Sequence, residues 1–485
     1  MNFNKKLAVA VSGAVLLMAG QFALADSTTD IVDALVMKGV LTEEEGRLIN
    51  KGHTSKAKVT PVAKEKDGAL FLETPDGNGN VSIGGRIHFD YRHFDQNENS
   101  DAGQTLSAVQ ADTFDIRRAR ITTKFKFAKY YSGEVTLNTV GAVNVLDVGY
   151  MDLTWFEKAK FRFGQFKMPF SLEQLTSSNN IDFIERSFVD AYIPSKEVGA
   201  QVFGSPTKGM TYALAVSNGY SSANSTAGEL DNRQDGKDVI GRLTYNFAEA
   251  LGDKENVMHV GAAFSAGDSP VGTGFGGNRT TESRGLSFFT QPVLLTATGN
   301  SSKTITRQRL GVEGAFAFGR TKLQGQFVNQ GHDFEVNGIS NDLAIKSGYV
   351  ELLHTLTGEK WADRYKDGAF GALKPIKNFD GDTMTGGAWE LGVRYSTFDA
   401  SEFNQPTIAS TSSTALAGLV TNASGYTKAK TMTAGIKFWA NPNFRMMADY
   451  VYTDFSGLVG TTTPSLNGRA YDDEQAILVR TQIMF

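Results

Sequence analysis

The feature of this sequence that most constrains its fold is an alternation of apolar and polar residues, which begins near residue 71 and continues to the end of the chain. Between residues 83 and 91, the odd positions hold apolar side chains or glycine, while Arg86, His88 and Asp90 occupy even positions. Successive side chains of a β-strand point to opposite faces, so a period of two predicts strands with one apolar and one polar face. The pattern predicts sixteen strands, at residues 83–91, 113–127, 131–140, 146–156, 160–166, 198–204, 210–217, 238–247, 257–266, 306–318, 321–330, 343–353, 387–397, 430–439, 444–454 and 475–485.

The connections between these strands favour a closed barrel. An even number of strands leaves both ends of the barrel chain on one side. Short connections fall on that side, at 129, 157–159, 319–320 and 441–443. Long polar connections fall on the other side, at 94–112, 218–237, 267–305, 398–429 and 455–474. Phe288 and its neighbours could form one more short strand, but the even count places them in a loop.

The face opposite the charged residues distinguishes a membrane protein from a soluble one. A soluble β-sandwich, which is the alternative, would carry polar residues on its outer faces. Here that face is apolar and is flanked by Tyr, Phe and Trp, as contact with lipid requires. We therefore predict an all-β fold, a 16-stranded antiparallel transmembrane β-barrel over residues 71–485, with a short N-terminal helical periplasmic segment.

The first 25 residues have the three parts of a secretory signal peptide. Lys5 and Lys6 supply positive charge, residues 7–19 are apolar, and residues 23–25 form a small-x-small cleavage site. A membrane helix, the alternative, would need a longer apolar run, and no later run of 18 apolar residues follows. We expect an exported protein that begins at Asp26. The loss of two lysines changes its formal net charge from −4 to −6.

Residues 26–70 form a separate N-terminal region. Two short helices are predicted within 28–52, separated at Gly39, and residues 42–45 form a capping box that begins the second helix. Residues 53–70 are polar and rich in lysine, which is typical of a linker. This region could contact a periplasmic partner, or it could stabilise an assembly of several copies.

The last predicted strand ends on an aromatic residue. Alternate residues from Ile477 to Phe485 share one face, while Arg480 and Gln482 lie on the other. This ending resembles the terminal strand of bacterial outer-membrane barrels, where it acts as the assembly signal. Together with the signal peptide, it predicts a protein of the bacterial outer membrane, in contact with lipid and lipopolysaccharide.

The composition excludes several classes of function. The chain has no cysteine, which excludes disulfides, thiol catalysis and zinc or iron–sulfur sites with cysteine ligands. A net charge of −4 lacks the basic excess that nucleic-acid binding needs. A barrel enzyme would need a cluster of catalytic groups at its rim, but the six histidines are scattered and no nucleophile motif occurs. We therefore expect no catalytic residues, no metal and no cofactor.

The assignment of the apolar face to lipid puts the charged side chains inside the barrel. The inward cations are then Arg86, Arg118, Arg120, Lys124, Arg162, Arg242, Arg309, Arg394, Arg445 and Arg480. The inward acids are Glu134, Asp152, Glu313, Glu390 and Asp449. Arg117 has the opposite parity from Arg118, so one of the two is expected to point to an interface or a loop.

Arginines aligned in a lumen would lower the cost of removing water from an anion, because the guanidinium group presents a fork of donors to phosphate oxygens. The alternative is that the arginines pair with acids and only hold the wall together. The residues alone leave both interpretations open.

Eight motifs in a fixed order carry a resemblance to a known family. They are residues 114–120 (FDIRRAR), 163–174 (FGQFKMPFSLEQ), 183–187 (FIERS), 356–359 (LTGE), 373–375 (LKP), 387–396 (GAWELGVRYS), 439–445 (WANPNFR) and the closing strand. Together they resemble the phosphate-selective porin O and P family over about residues 81–485. The resemblance implies a homotrimeric outer-membrane porin in which small anions, phosphate or polyphosphate among them, diffuse passively through an arginine-lined pore.

The resemblance also implies which residues serve the pore. In the family, a ladder of arginines leads to a waist made by inward-folded loops, and the connections 165–197, 267–305 and 354–386 are long enough to form one. The implied anion pathway is Arg86, Arg117, Arg118, Arg120, Arg162, Arg242, Arg394 and Arg480. The implied constriction loop contributes Lys167, Asn179, Glu185 and Arg186. Asp152 matches an acidic position near the waist.

One position departs from the family pattern. The resemblance implies a lysine after Ser177 and Ser178, whereas this chain has Asn179. The connection 165–197 also holds three cations against five carboxylates. These observations favour an alternative function, a porin for general or organic solutes without strict phosphate selectivity.

Overall fold

The computed structural model describes residues 27–57, 61–66, 68–95, 112–141, 145–219, 237–270, 278–290, 304–336, 339–404, 424–459, 465–466, 469–470 and 472–485. The predicted signal peptide lies outside these residues. Sixteen strands pair antiparallel in chain order, and the last pairs with the first, so the sheet closes into a barrel.

The sixteen strands coincide with the sixteen segments that the alternation predicts, and the predicted barrel is confirmed. They are β1 (Asn80–Asp95), β2 (Thr113–Phe127), β3 (Tyr131–Asn138), β4 (Leu146–Leu153), β5 (Lys160–Lys167), β6 (Lys196–Gly204), β7 (Met210–Ser217), β8 (Asp238–Asn246), β9 (Asn256–Pro270), β10 (Thr304–Phe318), β11 (Thr321–Val336), β12 (Ile339–Thr355), β13 (Ala388–Asp399), β14 (Ser424–Asn441), β15 (Phe444–Val459) and β16 (Asp473–Met484).

The two ends of the barrel differ. At one end, turns of two or three residues join β2 to β3, β10 to β11 and β14 to β15, and β16 ends beside the start of β1. We call this the turn end and the opposite end the loop end. Gly319, in the turn between β10 and β11, has φ +54°, a left-handed conformation that glycine adopts without steric cost.

The wall alternates as the sequence predicts. Along β13, Glu390 and Arg394 are buried towards the inside, whereas Trp389, Leu391 and Val393 are exposed on the outside. An apolar outer band with a polar interior is the arrangement that a bilayer requires of a barrel. None of the helices described here is long and apolar enough to cross a membrane.

The N-terminal region contains two helices and a hairpin. Helix α1 (Ser27–Met37) and helix α2 (Glu43–Ala57) agree with the two predicted helices. The capping box is present: the Glu45 backbone N–H donates to Thr42 Oγ1 at 3.2 Å, and the Thr42 N–H donates to Glu45 Oε2 at 2.9 Å.

The linker predicted over 53–70 is wrong in part. Strands Val62–Lys66 and Ala69–Glu73 form a hairpin, and Leu70 of the second strand pairs with Ile83 of β1. The sequence carried a signal for it, because Asp67-Gly68 is a dipeptide typical of a two-residue hairpin turn. The lysine-rich composition of residues 53–70 favoured the interpretation as a linker over that signal.

Within the part of the chain that the structure describes, three connections enter the barrel. The first inward loop (168–195) joins β5 to β6 and contains helix α3 (Leu172–Leu175) and a 3-10 turn at Phe188–Ala191. The second inward loop (278–290) lies in the connection from β9 to β10. The third inward loop (356–387) enters from the turn end, between β12 and β13. These are the three connections that the sequence indicates as long enough to form a waist.

The second inward loop corrects one expectation. Ser287–Thr290 do form a strand, which pairs with Asn278–Thr280 and, through Phe289, with Gly425 of β14. The barrel keeps its even count, because β9 pairs directly with β10 beneath this loop.

The first inward loop packs closely against the far wall of the barrel. Gly392 of β13 and Gly435 of β14 are direct partners in the sheet. A β-carbon added at either glycine would lie 3.1–3.2 Å from the Phe183 ring. The absence of side chains at these two positions therefore lets the tip of the loop lie flat on the wall.

Candidate functional site

A cavity of about 1300 Å³ lies between the first inward loop and the wall formed by β1 to β5. Eleven lysine and arginine side chains line it, against three aspartate and glutamate side chains. Five of the arginines implied by the family resemblance are among the lining residues: Arg86, Arg117, Arg118, Arg120 and Arg162. The cavity is therefore strongly cationic, although the whole chain is slightly acidic.

A β-bulge brings both Arg117 and Arg118 to the cavity. The pairing of β1 with β2 shifts register between His88 and Phe89, and Arg117 is the extra residue in β2. An extra residue changes the parity of a strand at that point. Both arginines therefore line the cavity, and Arg117 also points to the first inward loop, where it donates to Glu185.

Among the cavity-lining cations on β1 to β6 and the first inward loop, Arg86, Arg118 and Lys167 have no carboxylate within 4.0 Å in the described part of the chain. Arg86 donates to Ser178 Oγ at 2.9 Å and to Asn179 Oδ1 at 3.2 Å. Arg118 lies 3.5 Å from His88 Nδ1. Lys167 Nζ donates to the carbonyl oxygens of Gln174 at 2.5 Å and Thr176 at 3.1 Å. These neutral partners hold the side chains in place, and the three charges form no ion pair, in which sense we call them uncompensated.

The other lining arginines each have an acidic partner. Arg117 Nε donates to Glu185 at 2.7 Å, and Arg120 lies 3.1 Å from Asp147. Arg162 forms two hydrogen bonds to Asp152, at 2.7 and 2.8 Å. Its guanidinium carbon also lies 3.7 Å from the centre of the Tyr150 ring.

Asp152 binds Arg162, which lines the cavity, but Asp152 itself does not line it. It is the direct partner of Arg162 across β4 and β5, close to the turn end. Asp147, one of the three acids that line the cavity, contacts both Arg120 and Lys196. Sequence reasoning missed Asp147 because it is the extra residue of a second register shift, opposite Thr136 and Leu137, that the alternation does not reveal.

Three of the implied pathway arginines lie outside the cavity, each paired with acids. Arg242 pairs with Glu313. Arg394 pairs with Glu282 at 2.6 Å, and Arg480 pairs with Asp90 at 2.6 Å. All three are buried and also donate to loop carbonyl oxygens, of Gly368, Glu185 and Ile184 respectively. Their contacts fasten the inward loops to the wall.

The loop residues Asn179, Glu185 and Arg186 are placed by hydrogen bonds. Asn179 Oδ1 lies 3.2 Å from His88 Nε2 and also accepts from Arg86. Arg186 donates to the carbonyl oxygens of Glu173 and Thr176, both at 3.1 Å. Asn179 and Arg186 line the cavity, whereas Glu185 lies behind it.

Two carboxyl groups of the first inward loop have shifted pKa values. Burial alone would raise the pKa of Glu185, but the charges of Arg117, Arg118 and Arg480 outweigh it and hold that pKa well below its ordinary range. Burial raises the pKa of Glu173 to about 7. Glu185 is therefore an anion that neutralises part of the arginine cluster, and Glu173 titrates near neutral pH.

Among the residues that the structure describes, no group of His, Asp or Glu side chains is arranged to hold a metal ion. The cationic cavity is therefore the candidate functional site of the described chain.

Comparison with known proteins gives a family match, a sequence relative and several similar solved structures. The family model described as phosphate-selective porin O and P matches residues 81–485. Porin O of Pseudomonas aeruginosa is 26% identical over 446 residues, which cover 87% of this chain and 92% of that protein. An anion-selective porin from Comamonas acidovorans aligns with a TM-score of 0.48 at 10% identity, covering 84% of this chain and 100% of that one. The outer-membrane channel DcaP of Acinetobacter baumannii aligns with a TM-score of 0.47 at 10% identity, covering 84% and 98%.

Proposed function

The chain belongs to the phosphate-selective porin O and P family, is a channel of the bacterial outer membrane and not an enzyme, and we propose that it passes small anions, phosphate among them, by passive diffusion. The turn end is then the periplasmic end. The path runs through the cavity beside the first inward loop, along Arg86, Arg117, Arg118, Arg120 and Arg162.

The uncompensated charge of Arg86, Arg118 and Lys167 carries this proposal. An ion that enters a narrow pore loses part of its hydration shell, and fixed opposite charges replace that loss. Coulomb attraction is stronger there than in bulk water, because protein surrounds the ion. Cations that are already matched by carboxylates attract a second anion weakly, so the three uncompensated ones contribute most.

The choice of phosphate over other anions rests on guanidinium chemistry. Arg86 and Arg118 both line the cavity with their forks of donors, and such forks match the oxygens of phosphate. Asn179 favours the second candidate, a porin for general or organic solutes, because an amide stands at the waist where the family pattern implies a lysine.

Three copies of the chain associate through one side of the barrel. The six consecutive strands β3 to β8 have eight or nine residues each, whereas the others have 12 to 18. A tilted strand needs about 9–11 residues to cross the hydrocarbon layer. We call β3 to β8 the low wall and the remaining strands the tall wall. The low wall is therefore covered by neighbouring copies. The tall wall contacts the lipid of the membrane, including lipopolysaccharide in the outer leaflet.

The proposal is tested by the reversal potential of single channels in planar bilayers under a potassium chloride gradient. We expect the wild type to prefer chloride, and Arg118→Gln and Arg120→Gln to reduce that preference. Arg309→Gln is the matched control, since Arg309 is buried on β10 and lies outside the cavity. A cation-selective wild-type channel would contradict the proposal.

Phosphate added to the same bilayers separates the two candidates. A phosphate-selective pore binds phosphate long enough to reduce the chloride current at low phosphate concentration. If phosphate leaves the chloride current unchanged while the channel stays anion-selective, the general or organic-solute porin is supported instead.

A further inference from the structure

Two loops that enter the barrel from opposite ends meet at one buried carboxylate of the wall. Glu313 lies on β10. Its Oε2 accepts a hydrogen bond at 2.8 Å from the backbone N–H of Leu172, the first residue of α3 in the first inward loop. Its Oε1 accepts from Arg242 Nε at 2.9 Å and lies 3.1 Å from His259 Nε2.

Arg242 and His259 both contact the third inward loop. Arg242 Nη2 donates to the Gly368 carbonyl oxygen at 3.1 Å, and His259 Nδ1 lies 2.7 Å from the Tyr365 hydroxyl. When that hydroxyl donates to Nδ1, the ring hydrogen is on Nε2, where it can be donated to Glu313. The third inward loop thereby selects the histidine tautomer that binds the carboxylate.

Helix α3 in turn holds two cations of the cavity. Lys167 donates to the carbonyl oxygens of Gln174 and Thr176. Arg186 donates to those of Glu173 and Thr176. A shift of α3 would therefore move both cations. The wall holds the start of α3 through Glu313, which accepts from the Leu172 N–H, and through Gln326, which accepts from the Glu173 N–H and itself donates to Glu313.

A second connection joins the same two loops. Asp182 of the first inward loop contacts Lys322 at 2.6 Å and Lys437 at 3.6 Å. Lys437 lies 3.4 Å from Glu390, and Arg364 of the third inward loop pairs with Glu390 at 2.5 Å. The two loops are thus linked through the wall at two separate places.

We propose that the third inward loop sets the position of α3, and with it the cations Lys167 and Arg186, through Tyr365, His259 and Glu313. The waist of the pore is then controlled from the periplasmic end, although α3 belongs to a loop that enters from the outside. Tyr365, His259 and Glu313 are positioning residues, since none of them lines the cavity. The consequence for anions rests on the proposed function, whereas the mechanical link does not.

The absence of cysteine from the chain permits a direct test. Leu175 of α3 lines the cavity and is half-buried, so Leu175→Cys reports the position of the helix. The rate at which a charged, membrane-impermeant methanethiosulfonate modifies this thiol is measured in trimers reconstituted in vesicles. We expect Tyr365→Phe to change that rate about fivefold, the effect of losing one hydrogen bond of ordinary strength.

The control is Tyr212→Phe. The Tyr212 hydroxyl lies at the same end of the barrel and donates to the Lys158 carbonyl oxygen at 2.9 Å, but it contacts neither loop. An equal change in this control, or an unchanged rate with Tyr365→Phe, overturns the proposal. Glu313→Gln should shift the rate further, and Tyr365→Phe remains informative if that variant does not fold. A cation-selective wild type would contradict the proposed function alone, because the modification rates decide the mechanical link independently.

Discussion

Arg480 and Asp90 form an ion pair with two hydrogen bonds, at 2.6 and 2.7 Å, directly across the seam where β16 meets β1. The two residues are 390 positions apart in the sequence, and both are fully buried. Arg480 also donates to the Ile184 carbonyl oxygen at 2.6 Å. One side chain thus joins the last strand, the first strand and the first inward loop.

We expect Asp90→Asn to lower the free energy of unfolding by about 3 kcal/mol, because the buried guanidinium of Arg480 then keeps only its longer carboxylate contact, to Glu185 at 3.3 Å. The measurement is urea unfolding of the barrel in lipid vesicles, followed by tryptophan fluorescence. Lys346→Gln is the control: it breaks an exposed pair with Glu402 at 2.8 Å, for which a loss below about 1 kcal/mol is expected. Equal losses in the two variants would show that the buried pair at the seam stabilises the barrel no more than an exposed pair does.

The fold was predictable because its signal is local. Each strand carries its own period-two pattern, so each of the sixteen strands could be predicted from its own residues without reference to the others. The bulge at Arg117 was not predictable, since it depends on the register between β1 and β2. Nor was the role of Glu313, whose contact with Leu172 spans 141 positions of sequence. Likewise, nothing near Arg242 or Arg480 in the sequence distinguishes a wall arginine from one in the cavity.

Asn179 offers a test of phosphate affinity. Its side chain lines the cavity and accepts from Arg86 at 3.2 Å. In Asn179→Lys the new ammonium group would stand beside Arg86, and two cations a few ångströms apart attract a divalent anion more strongly than one. We expect the phosphate concentration that halves the chloride current to fall at least about fivefold.

Asn179→Asp is the matched variant of opposite charge, and it should raise that phosphate concentration. If both variants change the concentration in the same direction, the effect arises from disturbing the loop and not from charge.

Glu173 predicts a pH dependence of stability. Its pKa is raised to about 7 by burial, from an ordinary value of 4.5. The folded state therefore binds the proton more tightly than the unfolded state, so stability falls as pH rises from 4.5 through 7. The shift corresponds to about 3 kcal/mol. The Glu173→Gln variant has no ionisable group at this position, so its stability should not show this decrease with pH.

The comparison is made by urea unfolding of both proteins at pH 5 and pH 8, so that titration of all other groups cancels in the difference. The wild type should lose stability relative to Glu173→Gln as the pH rises. A difference between the two proteins that stays constant with pH would show that Glu173 keeps an ordinary pKa.

The low wall predicts where the copies associate. Phe163 on β5 and Phe327 on β11 are both outward-facing and similarly exposed, at 43% and 47%, but only Phe163 lies on the low wall. Lipid tails are as apolar as phenylalanine, so association in the membrane depends on close packing between copies. Phe163→Ala should therefore lower the temperature at which trimers dissociate on a semi-denaturing gel, because it opens a gap between copies. Phe327→Ala exchanges one lipid contact for another and should leave that temperature unchanged; a larger effect of Phe327→Ala would place the interface on the tall wall.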